Sequence, residues 1–137
     1  MSGCIFCKIV AGKLPSCKLM EDKDVLAFVD IGPIRPGHAL LIPKKHYERT
    51  VDMPGEEVAR LMAHLPKLAK AIVQATGADG YNVLQMNGAC AGQVVPHVHF
   101  HIIPRHNGDG VKFGWPAAKY PEGEMEKLGK KIRTHLQ

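Results

Sequence analysis

His97-Val98-His99-Phe100-His101-Ile102-Ile103 is the stretch on which the reading of this chain turns. Polar and apolar residues alternate along it, as on an extended strand whose side chains point in turn to opposite faces. Val98, Phe100 and Ile102 then face a core, while His97, His99 and His101 line the other side together. Packing accounts poorly for three imidazoles in a row, because each brings a donor and an acceptor that need partners. Two chemistries use such a row. Two histidines at i and i+2 can hold a zinc ion with ligands from elsewhere. Alternatively, a neutral imidazole attacks an electrophilic centre while its neighbours orient it and handle the leaving group's proton. The spacing does not choose between them.

Upstream of the row, Asn87-Gly-Ala-Cys-Ala-Gly92-Gln93 is a Gly-rich loop. Such a loop suits backbone N–H groups turned toward a phosphate, and Gln93 adds a side-chain donor. Tyr81 to Met86 reads as a further core strand. Val25 to Val29 and His38 to Ile42 read as an antiparallel hairpin, with turn signals at Asp30–Pro33 and Arg35–Gly37 and a stop at Pro43. Between Pro54 and Thr76 the period changes: Val58, Leu61, Met62, Leu65, Leu68, Ala69, Ile72 and Ala75 recur at helical spacing, and Gly77 stops the run. Pro66 inside this helix is expected to kink or divide it. Pro104 is expected to end the histidine strand. Arg105 to Lys119 is mostly loop, and Glu122 to Leu136 forms a surface helix with Met125, Leu128, Ile132 and Leu136 on one stripe. A helix on one side of a mainly antiparallel sheet is an α+β layout. It is expected to be one domain over 1–137, with a looser C-terminal extension over 105–137.

The 137 residues suit a single domain, and 45% hydrophobic with 23% charged residues excludes wholesale disorder and collagen. A net charge of +5 favours anionic partners such as nucleotides but is too small to argue for nucleic acid. No run approaches the roughly 20 apolar residues of a membrane span, and the first residues lack a signal-peptide pattern. A cytoplasmic location is therefore the expectation. In that compartment the four cysteines stay reduced, and Cys4-x-x-Cys7 reads as a metal or redox pair rather than a disulfide.

The motif His97-x-His99-x-His101, with apolar residues between and after, resembles the signature of the histidine triad (HIT) family. Further stretches resemble that family in the same order: Cys4–Val10, Phe28–Ile31, Arg35–His38, Ile42–His46 and Gly92–Pro104. The nearest likeness is to its bacterial-type, Hint-like branch of nucleoside phosphoramidases and nucleotide hydrolases. The resemblance implies a HIT-like fold with about five strands, one long helix and a C-terminal helix. It implies that His99 attacks the α-phosphorus of a nucleoside phosphate derivative, that a nucleotidyl-histidine forms, and that water then releases a nucleoside monophosphate such as AMP. His101 and Gln93 would assist that chemistry, with no catalytic metal. Asp30 would hold the ribose, and Phe6, Ile9, Phe28 and Ile31 the purine base. Asn87, Gly92, Gln93, His99 and His101 would lie on the phosphate side. Plain core packing is the competing role for the four apolar residues, and ending a strand the competing role for Asp30.

By the same resemblance, Cys4, Cys7, His46 and His97 form one structural zinc site per chain, and the protein is a homodimer. Val94 departs from the family pattern, standing where many relatives carry Ser or Thr, so leaving-group protonation would fall to His101, water or the leaving group itself. Other readings remain open: a dinucleoside polyphosphate hydrolase, a catalytic-zinc hydrolase using His97 and His99, a non-catalytic nucleotide-binding protein, or a redox protein using Cys4 and Cys7.

Overall fold

A computed structural model describes residues 3–136. Its elements run α1 (Ile5–Val10), β1 (Lys18–Glu21), β2 (Val25–Val29), β3 (Ala39–Pro43), α2 (Gly55–Ala63), α3 (Leu65–Thr76), β4 (Gly80–Gln85), β5 (Phe100–Arg105) and α4 (Glu124–Thr134). The five strands form one antiparallel sheet in the order β1-β2-β3-β5-β4. The architecture is α+β, as the sequence implies. None of the helices among the described residues is long and apolar enough to cross a membrane.

The central strands are buried on both faces, which is why they read as continuous apolar runs rather than alternating ones. On one face Val25, Ala27, Ala39, Leu41, Val98 and Ile102 pack against Leu61, Leu68, Ala69 and Ile72 of α2 and α3. On the other, Leu26, Phe28, Leu40 and Ile42 pack with Cys4 and Phe6, so α1 covers part of the histidine-bearing face. Neither α1 nor β1 has enough residues to show a period, and the sequence reading passed over both. Cys4 caps α1 by accepting the Cys7 N–H at 3.4 Å on its Sγ. That capping brings both cysteines to one end of the helix.

The long apolar helix is divided. α2 stops at Ala63 and α3 begins at Leu65, with Pro66 in its first turn, where the missing N–H has no intrahelical role. Gly77 ends α3 in the left-handed conformation, φ +67°, and returns its N–H to Val73. Two other expectations are corrected. β4 is a sheet edge rather than a core strand, and Tyr81 and Val83 remain exposed. β5 runs through Pro104 to Arg105, because β3 pairs only as far as Ile102 and leaves the proline bonded on one side alone. α4 is the surface helix expected from the sequence, and Met125, Leu128, Ile132 and Leu136 are all exposed.

Gly37 controls the approach to the site. Its φ is +96°, and a Cβ there would lie 2.7 Å from Thr76 Cγ2 and 3.2 Å from Pro104 Cγ. The next residue, His38, is buried. Gly37→Ala is expected to cost at least about 1–3 kcal/mol of folding free energy, read as a lowered urea midpoint; an unchanged midpoint contradicts this close packing.

Candidate functional site

Only His101 lies on a regular strand. A bend at Val95–His97, in which the His97 N–H bonds back to the Val95 carbonyl at 2.9 Å, turns the chain before β5 begins. The Val98 N–H then bonds to the Tyr47 carbonyl at 2.8 Å, which holds the segment extended beside the chain that carries His46. The alternation survives without the ladder. Val98 and Ile102 are fully buried on the helix side, Phe100 is half-buried there, and the three histidines share the opposite side.

Each imidazole has a defined proton. His99 Nδ1 is 2.7 Å from the His97 carbonyl, which can only accept, so Nδ1 carries the hydrogen. Neutral His99 therefore presents an unprotonated Nε2. His38 Nδ1 accepts the Ile34 N–H at 3.0 Å, so the proton of neutral His38 is on Nε2. That Nε2–H donates to His101 Nδ1 at 2.9 Å. His101 is left with Nε2–H as a donor. One ring offers a lone pair, its neighbour offers a proton, and their centroids are 4.9 Å apart. Burial lowers the pKa of His99, against partial offsets from its bond to the His97 carbonyl and from Asp30. Burial, then the neighbouring His99 and His38 rings, push His101 down to about 4. His38 is likewise lowered by burial, with Asp30 opposing. The cluster is thus held neutral. Asp30 lies 3.6 Å from His38 Nε2 and caps its own turn by accepting the Gly32 N–H.

These rings open into a cavity of about 530 Å³. Phe6, Ile9, Phe28, Asp30, Ile31, His99 and His101 all line it, so seven of the expected binding residues converge. Phe6 and Phe28 form a buried floor with rings edge to face, whereas Ile31 is 98% exposed and stands at the rim, not in a core. Val94, singled out at the leaving-group side, lines it too; Ile5, Leu14, Pro15, Ser16, Leu40 and Val95 also contribute to the wall and were missed. Most lie in or beside segments to which no element was assigned from sequence. Among the described residues, no lysine or arginine lines this cavity. A second depression, about 630 Å³, surrounds Arg105 and Asp109, whose charges satisfy one another.

The remaining expected residues sit on the adjacent loop, where their polar groups are occupied by the protein. The Gly88 N–H donates to Gln93 Oε1 at 2.7 Å, and Gln93 Nε2 donates to the Glu48 carbonyl at 2.7 Å. The Gly92 and Gln93 N–H groups bond to Ala89 and Gly88 carbonyls. Asn87 Oδ1 accepts from Thr50 N–H at 2.8 Å and from Gln85 Nε2 at 3.2 Å. The Gly-rich loop is therefore braced against residues 48–50, and its glycine N–H groups do not point freely at an anion as the sequence suggested. Val94 is almost fully exposed on the cavity wall and offers no hydroxyl.

Behind the histidines, Cys4, Cys7, His46 and His97 form a second cluster. His97 Nε2 donates to the Pro43 carbonyl at 2.8 Å, which leaves Nδ1 as a lone pair. That one lone pair faces Cys4 Sγ at 3.4 Å, Cys7 Sγ at 3.6 Å and His46 Nδ1 at 3.2 Å, while Cys7 Sγ and His46 Nδ1 are 3.4 Å apart. Tetrahedral zinc with ordinary Zn–N and Zn–S bonds separates two nitrogens by about 3.3 Å and a nitrogen from a sulfur by about 3.6 Å. The donor set and its spacing fit that ion. His64 pairs with Asp22, and exposed Cys17 and Cys90 belong to neither cluster.

Comparison with known proteins places this geometry. A sequence model of the HIT domain matches residues 11–108. The adenosine 5'-monophosphoramidase of Schizosaccharomyces pombe is 44% identical over 135 residues, covering 98% of each chain. The crystal structure of a HIT family member from Bacillus subtilis superposes with a TM-score of 0.93 at 40% identity, covering 98% of both chains. A zinc-bound histidine triad family protein from Mycobacterium smegmatis superposes with a TM-score of 0.77 at 34% identity, covering 99% of both. With a domain match over more than half of its length and relatives similar from end to end, this chain belongs to the HIT domain family.

Proposed function

We propose that this protein is a nucleotide hydrolase acting on purine nucleoside phosphoramidates through a nucleotidyl-histidine. The observation that carries the reading is the pair of opposite tautomers at the cavity: His99 Nε2 as lone pair and His101 Nε2–H as donor. The base lies between Phe6, Ile9, Phe28 and Ile31, and Asp30 accepts from the ribose hydroxyls. His99 Nε2 forms a bond to the α-phosphorus as the P–N bond breaks, and the departing nitrogen takes a proton from His101 or water. Water then attacks the same phosphorus, the bond to Nε2 breaks, and AMP leaves. His99 Nδ1–H, held by the His97 carbonyl, stabilises the positive ring that forms in the first step.

Gln93 and Asn87 hold the phosphate-side loop in place, and one Nε2 hydrogen of Gln93 remains for a phosphoryl oxygen. Cys4, Cys7, His46 and His97 hold a structural zinc ion, which supplies a crosslink and no chemistry to the reaction. The monophosphoramidase activity named for the Schizosaccharomyces pombe relative and the zinc-bound Mycobacterium smegmatis neighbour support both parts of this reading. A cytoplasmic location, where cysteines stay reduced and open to metal, is part of this reading. The exposed stripe of α4 suits pairing with a second copy.

Three outcomes follow. With adenosine 5'-phosphoramidate as substrate, His99→Asn is expected to lower kcat roughly ten-thousandfold and His101→Asn roughly a hundredfold or more; a His99 variant within tenfold of the parent contradicts the assignment. Because His38, His99 and His101 are all held below the ordinary imidazole value, kcat/KM is expected to stay level as pH falls to about 6.5 and to decline only below it, as protons reach the rings. An acid limb above neutrality contradicts this. Sedimentation is expected to show a dimer that Leu128→Glu with Ile132→Glu converts to monomer; a parent monomer removes the role given to α4.

A further inference from the structure

His97 belongs to both clusters. Its ring closes the four-donor group, and its main-chain carbonyl accepts the Nδ1–H of His99. The Pro43 carbonyl holds the ring at Nε2, the lone pair at Nδ1 faces the two sulfurs and His46 at metal-ligand spacing, and the residue is fully buried. A side chain fixed at both ends fixes the main chain that carries it, and with it the carbonyl. A second contact runs the same way. Cys4 and Cys7 lie at one end of α1, and Phe6 between them packs edge to face on His97 at 5.7 Å and on His99 at 5.1 Å. The two cysteines fall outside the segment matched by the HIT domain model, which begins at residue 11.

We propose that Cys4, Cys7 and His46 are positioning residues for the nucleophile, and that metal ligation of the His97 ring sets the turnover rate by holding the His97 carbonyl on His99 Nδ1. This rests on the nucleotide-hydrolase reading and on the metal fit above. Without the ligand-bound ring, the His97 lone pair faces two thiols and a second imidazole with no single arrangement that satisfies all of them. The carbonyl then loses its fixed position, Phe6 loses its anchor, and His99 samples the tautomer that buries its nucleophilic lone pair. Phe28, Ile31 and Asp30 of the base and ribose subsites sit on β2 and its turn, apart from the four-donor group, so AMP affinity is expected to fall far less than kcat even though Phe6 and Ile9 stand on α1.

The test compares zinc-loaded protein with protein stripped by chelator. It records metal content, AMP affinity by calorimetry, kcat and KM with adenosine 5'-phosphoramidate, and the ring nitrogens of His99 by long-range proton–nitrogen NMR. The expected result is about one zinc per chain and, on stripping, a kcat lower by roughly 10- to 100-fold. AMP affinity should hold within about threefold, and the His99 signals should move from one tautomer to a mixture. Adding zinc back restores both together. Stripped protein that stays folded with parental kcat and an unchanged His99 spectrum overturns the proposal. So does a loss of AMP affinity as large as the loss of kcat, or purified protein without metal.

If stripping unfolds the chain, His97→Cys decides. It keeps four donors, but with a shorter arm and no bond to Pro43. A tenfold or greater fall in kcat at unchanged zinc content supports the proposal, and parental kcat overturns it. If the loaded parent turns over no phosphoramidate, the nucleotide-hydrolase reading fails, while the His99 spectrum with and without zinc still decides the coupling.

Discussion

One hydrogen bond, 2.7 Å from His99 Nδ1–H to the His97 carbonyl, organises the rest of this molecule. It decides which nitrogen of His99 keeps its lone pair, and it exists only because the chain bends at Val95–His97 before entering β5. A regular ladder from His97 onward would commit that carbonyl to a neighbouring strand. The bend, the bond from Val98 to Tyr47 and the burial of Val98 and Ile102 therefore serve one end, which is to present a carbonyl to an imidazole two residues later.

A second tautomer is set by a longer chain of the same logic. The Ile34 N–H settles His38, and His38 settles His101. The turn that supplies Ile34 depends on Gly37, where any side chain would press into Thr76 and Pro104. Burial keeps every ring in this relay neutral, because a charge would have to be held in an apolar surround. The site thus sets two imidazoles, both held below the ordinary value, in opposite roles by hydrogen bonding rather than by charge.

How far the sequence discloses this differs between parts of the chain. The β2–β3 hairpin, the divided helix at Pro66 and the α+β layout were legible, because hydrophobic period and proline chemistry act locally. The meeting of Phe6, Phe28 and Asp30 with His99 and His101 was legible through the family resemblance, as was the gathering of Cys4 and Cys7 with His46 and His97. The edge position of β4 was not, because strand order depends on long-range pairing. The fate of Gly88, Gly92 and Gln93 was hidden for another reason. A Gly-rich loop advertises free N–H groups, yet Gln93 closes the loop on itself and onto Glu48, a bond between residues 45 positions apart that no local pattern reveals. His38 stands in the sequence only as the end of a family-like stretch, because its part in fixing His101 depends on a contact across 63 positions.

The most direct measurement is a rapid chemical quench of the zinc-loaded protein mixed with adenosine 5'-phosphoramidate, followed by intact-mass and fragment analysis. A transient adenylyl group mapped to His99, rising and falling ahead of AMP release, is the predicted result. AMP released with no adduct at any time, or an adduct mapped to another residue, would contradict the assignment of His99 as the nucleophile.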